Sequence, residues 1–299
     1  MSAGRGHRVA RVRALAARAR RWAGAAALIP LLAACVNEER EQQLGDQIAA
    51  QINTQVPLVH DAPLNHYVND LGRMLARRSA RPDVPYRFYI VDTEGVNAFA
   101  LPGGHIYINR GLIERTSNVS ELAGVLAHEI GHVAARHGAE TLQRQMRTRS
   151  MSGILYKVIL DREPLLDQEA LDIGGAVWSA AHSRNDEQEA DRLAVGYLIA
   201  SGVDPQGMLT LFNGFVKEEA AVPQGVVAQW FSTHPATMQR LKITRDEIRQ
   251  RLPEVKKPLA TQVPSYEDFL RRLHQLPPAP RMLHPGLLSP GAPLPFGRK

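Results

Sequence analysis

The alternation of apolar and polar residues along the chain predicts a mainly helical protein with a small β-sheet. Apolar residues recur at helical spacing after Ser120, which we expect to cap the helix. The apolar stripe consists of Leu122, Val125, Leu126, Ile130, Val133 and Ala134. Residues 86–91 and 105–108 are rich in β-branched and aromatic side chains and read as strands, with a turn signal at Pro102, Gly103 and Gly104.

The remaining pattern predicts one domain of residues 35–252, which is long enough to bury a core of its own. Further helices are expected at residues 37–55, 63–79, 185–201, 205–219 and 236–251. Residues 150–182 are mostly helical in pattern, with Pro164 as an interruption, and we expect them to cover a cleft.

The last segment, residues 253–299, differs in composition from the rest of the chain. It holds ten of the twenty prolines and shows no internal repeat, which favours an extended or disordered tail. One short helix at residues 265–276 is compatible with its pattern, and a solvated extension is a simpler interpretation than a partner-binding arm.

The first 34 residues have the features of an export signal. Seven arginines precede an apolar run at residues 22–34, and the segment contains no acidic residue. The run is shorter than the roughly 20 residues that span a bilayer. It ends in Leu-Ala-Ala-Cys, which resembles a bacterial lipobox, and Cys35 is the only cysteine, so we expect lipidation there. Val36 follows and favours sorting to the outer membrane, facing the periplasm.

Charge adds little to the functional picture once this leader is set aside. The whole chain carries a net charge of +6, but residues 35–299 contain 29 basic and 30 acidic residues. The basic character therefore belongs to the leader, and we expect no nucleic-acid partner.

Residues 128–132, His-Glu-Ile-Gly-His, carry the strongest chemical signal. Side chains four residues apart share one helix face, so His128 and His132 can bind a single zinc ion. Glu129 lies between them and can act as a general base on a water molecule. The alternative interpretation is a surface helix with two solvated histidines.

A catalytic zinc usually has a third protein ligand, and the sequence offers one principal candidate. Ala135 and Gly138 stand where a metzincin needs glycine and histidine, and residues 148–156 contain no acid. Glu187 and Asp191 are again four residues apart. Glu187 could complete the metal site, and Asp191 could hold a ligand histidine by its other ring nitrogen.

Together these patterns resemble family forty-eight of the metallopeptidases, the gluzincins that include HtpX and the CAAX prenyl endoproteases. The matching residues are Ser183, Arg184, Glu187, Ala190 and Asp191, the block at 97–108 with Gly111 and Leu112, and the block at 233–235 with Arg240. The resemblance implies an α+β, mainly helical zincin fold whose small sheet has an edge strand, expected at residues 105–108, beside the zinc cleft.

The resemblance also implies roles for individual residues. His234 would lie in a loop near the metal, where it could stabilise an oxyanion or occupy the open zinc position and keep the enzyme latent. Arg240 would steady that loop through a carboxylate. An extended substrate would pair with the edge strand, and the residues expected to bind it are Asn97, Ala98, Gly103, Gly104, His105 and Ile106. His137 and His182 are interpreted as structural or exposed.

The sequence therefore predicts a membrane-anchored zinc endopeptidase with one Zn²⁺ per chain. The expected substrates are unfolded or misassembled cell-envelope proteins, a class that follows from the resemblance and the export signal. Two alternatives stay open: a chaperone or assembly factor with latent protease activity, and a zinc amidase acting on cell-wall peptide.

Overall fold

The computed structural model of the chain describes residues 38–141, 143–144, 182–235 and 238–280. The helices are α1 (Glu38–Gln55), α2 (Ala62–Ala76), α3 (Arg110–Ile113), α4 (Val119–Ala134), α5 (Arg184–Ala200), α6 (Gln206–Ala221), α7 (Ala228–Thr233), α8 (Met238–Arg251) and α9 (Pro264–His274). The strands are β1 (Arg87–Val91), β2 (Ala98–Leu101) and β3 (His105–Asn109). The mainly helical α+β prediction is confirmed. The leader, Cys35 and the expected cleft cover at 150–181 lie outside the described residues.

The three strands pair in the order β1-β3-β2, with β3 parallel to β1 and antiparallel to β2. His105 therefore pairs with Arg87 on one side and with Leu101 on the other. The prediction that residues 105–108 form the edge strand is wrong, and His105 and Ile106 offer no free edge to a substrate. The edge beside helix α4 belongs to β2, a short strand that the sequence pattern did not indicate.

Both faces of the sheet are covered, and the alternation of side chains divides the core accordingly. Ile106 and Ile108 of β3 point into the main core, which contains the apolar side of α4. Tyr107, between them, points to the opposite face and joins a smaller cluster with Ile48 and Ile52 of α1. The sheet is thus the middle of three layers, with α1 outside it.

The N-cap of helix α4 lies two residues earlier in the chain than the sequence suggested. The Asn118 side chain accepts a hydrogen bond from the backbone N–H of Glu121, at 3.1 Å, so Asn118 is the N-cap and the prediction of Ser120 is wrong. Ser120 instead donates its hydroxyl to Asn118 Oδ1. The helix stops at Ala134, and residues 137–141 are helical again after a break at Arg136, whose φ is +63°.

Helices α4 and α5 approach each other closely at Gly131. A Cβ atom placed on Gly131 would lie 2.9 Å from the carbonyl oxygen of Ala190 and 3.1 Å from its Cα. Only a glycine leaves room for this contact. Ser183 starts α5 with a capping box, because its hydroxyl accepts from Asp186 N–H while the Asp186 carboxylate accepts from Ser183 N–H. The contact at Gly131 thus places the first half of α5 beside the last half of α4.

The domain extends well beyond the predicted boundary at residue 252. Helix α9 confirms the short helix expected at 265–276, and it buries Tyr266, Phe269 and Leu273 in the main core. Burying a large apolar side chain stabilises the fold by about 1.5–3 kcal/mol. The prediction that the tail is separate from the domain is therefore wrong as far as residue 280, and residues 281–299 lie outside the described part. Among the described helices, none has the length and apolar content that crossing a bilayer requires.

Candidate metal centre

The two histidines of helix α4 point to a common position inside the protein. His128 and His132 are both buried, and their Nε2 atoms lie 3.1 Å apart. The Nδ1 atom of His128 faces Asp191 Oδ1 at 3.0 Å. Because a carboxylate oxygen only accepts, the His128 proton belongs on Nδ1, and the lone pair of Nε2 points toward His132.

Helix α5 brings Glu187 to the same position from the other side. Glu187 Oε1 lies 3.3 Å from His132 Nε2, and Glu187 Oε2 lies 3.6 Å from His128 Nε2. Burial by itself would raise the pKa of Glu187, but His234 and Arg240 outweigh burial and hold that pKa well below its usual range. The carboxylate is therefore ionised and available as a metal ligand.

A third histidine completes the cluster from the segment that follows helix α7. His234 Nδ1 lies 3.4 Å from His128 Nε2 and 3.1 Å from Glu187 Oε1. Its Nε2 donates to the carbonyl oxygen of Ala98 at 3.2 Å, so Nδ1 faces the cluster. Burial by itself would lower the pKa of His234, but Glu187 and Glu129 raise it, so Nδ1 presents a lone pair only when the ring gives up its proton, for example when a metal ion takes the proton's place. The Trp230 ring stacks on the His234 ring with centroids 4.4 Å apart and fixes its plane.

These four side chains fit a metal ion. Tetrahedral zinc with bonds of about 2.0–2.1 Å separates its ligand atoms by about 3.3–3.4 Å. The separations given above, from 3.1 to 3.6 Å, match that spacing. Lone pairs and a carboxylate this close together repel one another unless a cation or a proton lies between them. Nitrogen and carboxylate donors of this kind suit zinc.

Glu129, the predicted base, lies beside this cluster and is fully buried. Within the described residues, neither of its carboxylate oxygens has a hydrogen-bond partner, although Oε1 is 3.5 Å from His234 Nε2. Burial raises the pKa of Glu129. A buried carboxylate without a partner is costly, which indicates that it normally faces a polar group such as a water or substrate.

Asp191 and Arg240 form a buried ion pair behind His128. Arg240 donates from Nε to Asp191 Oδ2 at 2.6 Å and from Nη2 to Oδ1 at 2.8 Å, and Thr244 also donates to Oδ2. Burial would raise the pKa of Asp191, but Arg240 and His128 lower it to about 2. Arg240 also contacts the Glu187 carboxylate through Nη1. Arg240 therefore contacts both carboxylates of helix α5, and Glu187 in turn lies 3.1 Å from His234 Nδ1.

Two further histidines join the cluster, although the sequence pattern indicated only that they are structural or exposed. His137 Nδ1 lies 2.9 Å from His132 Nδ1, and the His182 ring stacks on the His132 ring with centroids 3.9 Å apart. Burial and the neighbouring His182 hold the pKa of His132 well below its usual range, so the His132 imidazole is neutral. The sequence signal that could have found His137 is its position, five residues after His132.

The residues predicted to bind substrate divide into two groups. Asn97 and Ala98 lie at the metal centre: Asn97 Oδ1 accepts from Thr233 Oγ1, and Ala98 accepts from His234. Gly103, Gly104, His105 and Ile106 are placed elsewhere. His105 Nε2 lies 2.8 Å from Asp46 of α1, and Gly103, with φ of +80°, packs against Gln42 of the same helix.

An HExxH helix whose two histidines and glutamate lie beside a buried glutamate of α5 is the arrangement typical of gluzincin metallopeptidases. The model of "Peptidase family M48" matches residues 63–248, and the chain belongs to that family of metalloproteases.

Several curated relatives are similar to this chain. The beta-barrel assembly-enhancing protease of Escherichia coli K12 is 32% identical over 238 residues, covering 77% of this chain and 47% of that protein. The mitochondrial metalloendopeptidase OMA1 of Schizosaccharomyces pombe is 29% identical over 64% of this chain and 54% of its own length. The metalloprotease YcaL of E. coli K12 is 27% identical over 55% and 63%. The chain spans about half the length of the assembly-enhancing proteases that it matches.

Proposed function

We propose that this chain is a zinc-dependent endopeptidase of the bacterial cell envelope. His128, His132 and Glu187 would hold one zinc ion, and their convergence from two helices beside the buried Glu129 is the observation that carries the proposal. When bound, zinc would polarise the scissile carbonyl and acidify a water molecule. The ion's identity as zinc rests on the donor set and the spacing of its atoms.

Glu129 performs the proton transfers in this proposal. Its carboxylate accepts a proton from the attacking water and returns it to the leaving amine. Its burial and raised pKa favour a base that holds the proton long enough to deliver it. Asp191 keeps the proton of His128 on Nδ1, and the Nε2 lone pair of that ring stays directed at the metal.

His234 has the geometry of a fourth ligand in a resting state. Its Nδ1 is as close to Glu187 and His128 as ligands of one tetrahedral ion are. A set of four protein donors leaves no position for water, so His234 must withdraw before hydrolysis. Once displaced, it would remain near enough to stabilise an oxyanion, and both roles suggested by the sequence then belong to one residue.

The substrate would be an extended polypeptide that adds to the edge of β2. The carbonyl oxygen of Ala98 faces this edge, where it accepts from His234, and it would become available to a substrate backbone once His234 withdraws. Binding through the backbone would tolerate many sequences. The named relatives include proteases that enhance β-barrel assembly, which supports unfolded or misassembled envelope proteins as substrates. The export signal and a lipid anchor at Cys35 support an outer-membrane location facing the periplasm.

The mechanism is tested with two variants of the purified full-length chain and casein as the substrate. Glu129→Gln preserves the size of the side chain and lies outside the donor set, so this variant should keep zinc and lose at least about 100-fold in activity. His128→Ala should lose both zinc and activity. A fully active Glu129→Gln protein would overturn the proposal.

Membrane attachment is tested separately by Cys35→Ser, which should move the protein from the membrane fraction to the periplasmic fraction. Retention of this variant in the membrane would show that the lipid anchor is wrong, and it would leave the catalytic proposal intact.

A second candidate is an assembly factor that binds extended strands and seldom cleaves them. The closed four-donor arrangement with His234 favours it, because such a site is catalytically silent until His234 moves. Complementation of an envelope-stress defect by the Glu129→Gln form would favour the assembly factor, whereas failure of that form would favour the protease. Release of peptide from purified cell wall would point to the amidase instead.

A further inference from the structure

The side chain of His137 is buried next to the metal centre and is not among the donors to the ion. Its exposed surface is 4%, and its Nδ1 lies 2.9 Å from His132 Nδ1. His132 directs its other nitrogen, Nε2, at His128 and Glu187. One side of the His132 ring therefore faces the metal position, and the other side faces His137.

This contact depends on the break in the helix after α4. In a continuous α-helix, residue 137 would lie about 140° around the axis from residue 132 and would point away from it. The left-handed conformation of Arg136, with φ of +63°, redirects the chain and brings His137 back to His132. Arg136 is held in place by Glu41 of α1, whose Oε2 lies 2.9 Å from Arg136 Nε. The contact between His137 and His132 therefore depends on a left-handed backbone at a residue whose side chain is 35% exposed.

The hydrogen-bonding chemistry assigns the protons in this pair. A histidine that binds metal through Nε2 carries its proton on Nδ1, so His132 Nδ1 donates and His137 Nδ1 accepts. The proton of neutral His137 is then on Nε2, which lies 3.5 Å from Glu189 Oε2 and 4.0 Å from Asp186 Oδ1. These two carboxylates are the charged groups facing that nitrogen within the described residues.

We propose that His137 is a positioning residue for the metal centre: as a neutral acceptor it orients His132 and fixes its proton on Nδ1. The proposal rests on the proposed function, because it assigns the metal to Nε2 of His132. It also gives a role to His137 within a second group of nearby histidines, which consists of His132, His137 and His182. The spacing of these three side chains would also suit a metal ion, and the proposal instead assigns the 2.9 Å contact between His132 Nδ1 and His137 Nδ1 to a hydrogen bond.

The test uses two variants of similar shape, His137→Asn and His137→Leu, in the full-length protein. The Asn side chain places an oxygen acceptor where His137 has Nδ1, whereas the Leu side chain has no acceptor. Zinc affinity is measured by competition with a chelator. We expect His137→Leu to bind zinc about 10–100-fold more weakly than wild type, and His137→Asn to stay within about threefold.

A spectroscopic measurement separates orientation from folding. The visible absorption bands of the cobalt-substituted protein should shift in His137→Leu and match wild type in His137→Asn, while the metal-free proteins unfold at similar temperatures. Equal zinc affinity of the Leu variant and wild type would overturn the proposal. If the Leu variant does not fold, the Asn variant decides, and a tenfold loss of its zinc affinity would overturn the proposal.

The stoichiometry of zinc binding distinguishes this failure from failure of the proposed function. We expect one zinc per chain in wild type and in both variants at saturating zinc. Two zinc ions in wild type and one in His137→Leu would show that His137 is a ligand and would overturn the positioning role. A wild-type chain that binds no zinc would instead overturn the proposed function itself.

Discussion

The two histidines of helix α4 that we propose as metal ligands are held from behind in different ways. His128 is backed by Asp191, a buried carboxylate that Arg240 and Thr244 hold with three hydrogen bonds. His132 is backed by His137, a second imidazole whose outer nitrogen faces Glu189, and 53% of the Glu189 side chain is exposed. Behind His128 the metal centre is thus closed by a buried ion pair. Behind His132 it is closed by a second imidazole, and the far side of that ring faces a partly exposed carboxylate.

The difference shows how a buried site limits its own charge. The interior already contains three carboxyl groups, those of Glu187, Glu129 and Asp191. Arg240 forms ion pairs with Glu187 and Asp191. A fourth buried carboxylate behind His132 would add a large desolvation cost. A neutral acceptor orients the ring without that cost. We therefore expect changes behind His128 to affect stability and metal binding strongly, and changes beyond His137 to affect them weakly.

The largest effect should come from Arg240→Leu, which leaves two buried carboxylates without their cation. Breaking a buried ion pair in this way costs about 3–5 kcal/mol, and the free energy of unfolding of the metal-free protein should fall by that amount. Zinc supplies positive charge beside Glu187, so the loss should be smaller in the zinc-loaded protein. Denaturant unfolding with and without zinc measures both values. Arg249→Leu, at an exposed position of the same helix, is the control and should change stability by less than about 0.5 kcal/mol.

Asp191→Asn should have the next largest effect. An amide in this position pairs poorly with Arg240 and does not require the His128 proton to be on Nδ1, so zinc affinity should fall about 100-fold. Chelator competition measures the change, and proteolytic activity at saturating zinc shows whether the ring is still oriented. Unchanged zinc affinity would show that the two sides of the centre are equivalent.

The pH dependence of stability gives a third test of the carboxylate side. The pKa of Asp191 is lowered in the folded protein from 3.8 to about 2. A lowered pKa stabilises the fold at pH values above the unfolded pKa, and this contribution disappears as the pH falls through 3.8 toward 2. The stability difference between metal-free wild type and Asp191→Asn should therefore be constant above about pH 5 and shrink by about 2 kcal/mol at pH 2. A difference that grows on acidification would contradict the assignment.

The smallest effect should come from Glu189→Gln, which removes the carboxylate beyond His137. Because this group is more than half exposed, solvent screens its charge, and zinc affinity should change by less than about threefold. A tenfold loss in the same competition assay would show that the histidine pair depends on Glu189, and the contrast between the two sides would then fail.

The sequence predicted those parts of the site that depend on spacing within one helix. His128 and His132, and likewise Glu187 and Asp191, share a helix face by the period of the helix alone. His137 was missed because its position depends on the left-handed Arg136, which is stabilised by Glu41 from a distant helix. No local pattern contains that contact. The close approach of α4 and α5 at Gly131 was invisible for the same reason.

Predictions of the fold also failed where the local sequence pattern and the tertiary packing disagree. Strand β2 is short and contains two alanines, so its composition does not indicate a strand, yet pairing with β3 makes it one. Composition likewise made residues 253–280 look like an open tail. Three apolar side chains at helical spacing within that proline-rich stretch were sufficient to dock α9 on the core.

In the proposed mechanism, helices α4 and α5 hold one zinc ion between them. A crystal of the zinc-loaded protein, measured at the zinc absorption edge, would locate the metal directly. We expect a single anomalous peak bonded to His128 Nε2, His132 Nε2 and a Glu187 carboxylate oxygen, and in the resting state to His234 Nδ1, at about 2.0–2.2 Å. A zinc ion bound elsewhere, or bound by the two histidines with Glu187 turned away, would contradict it.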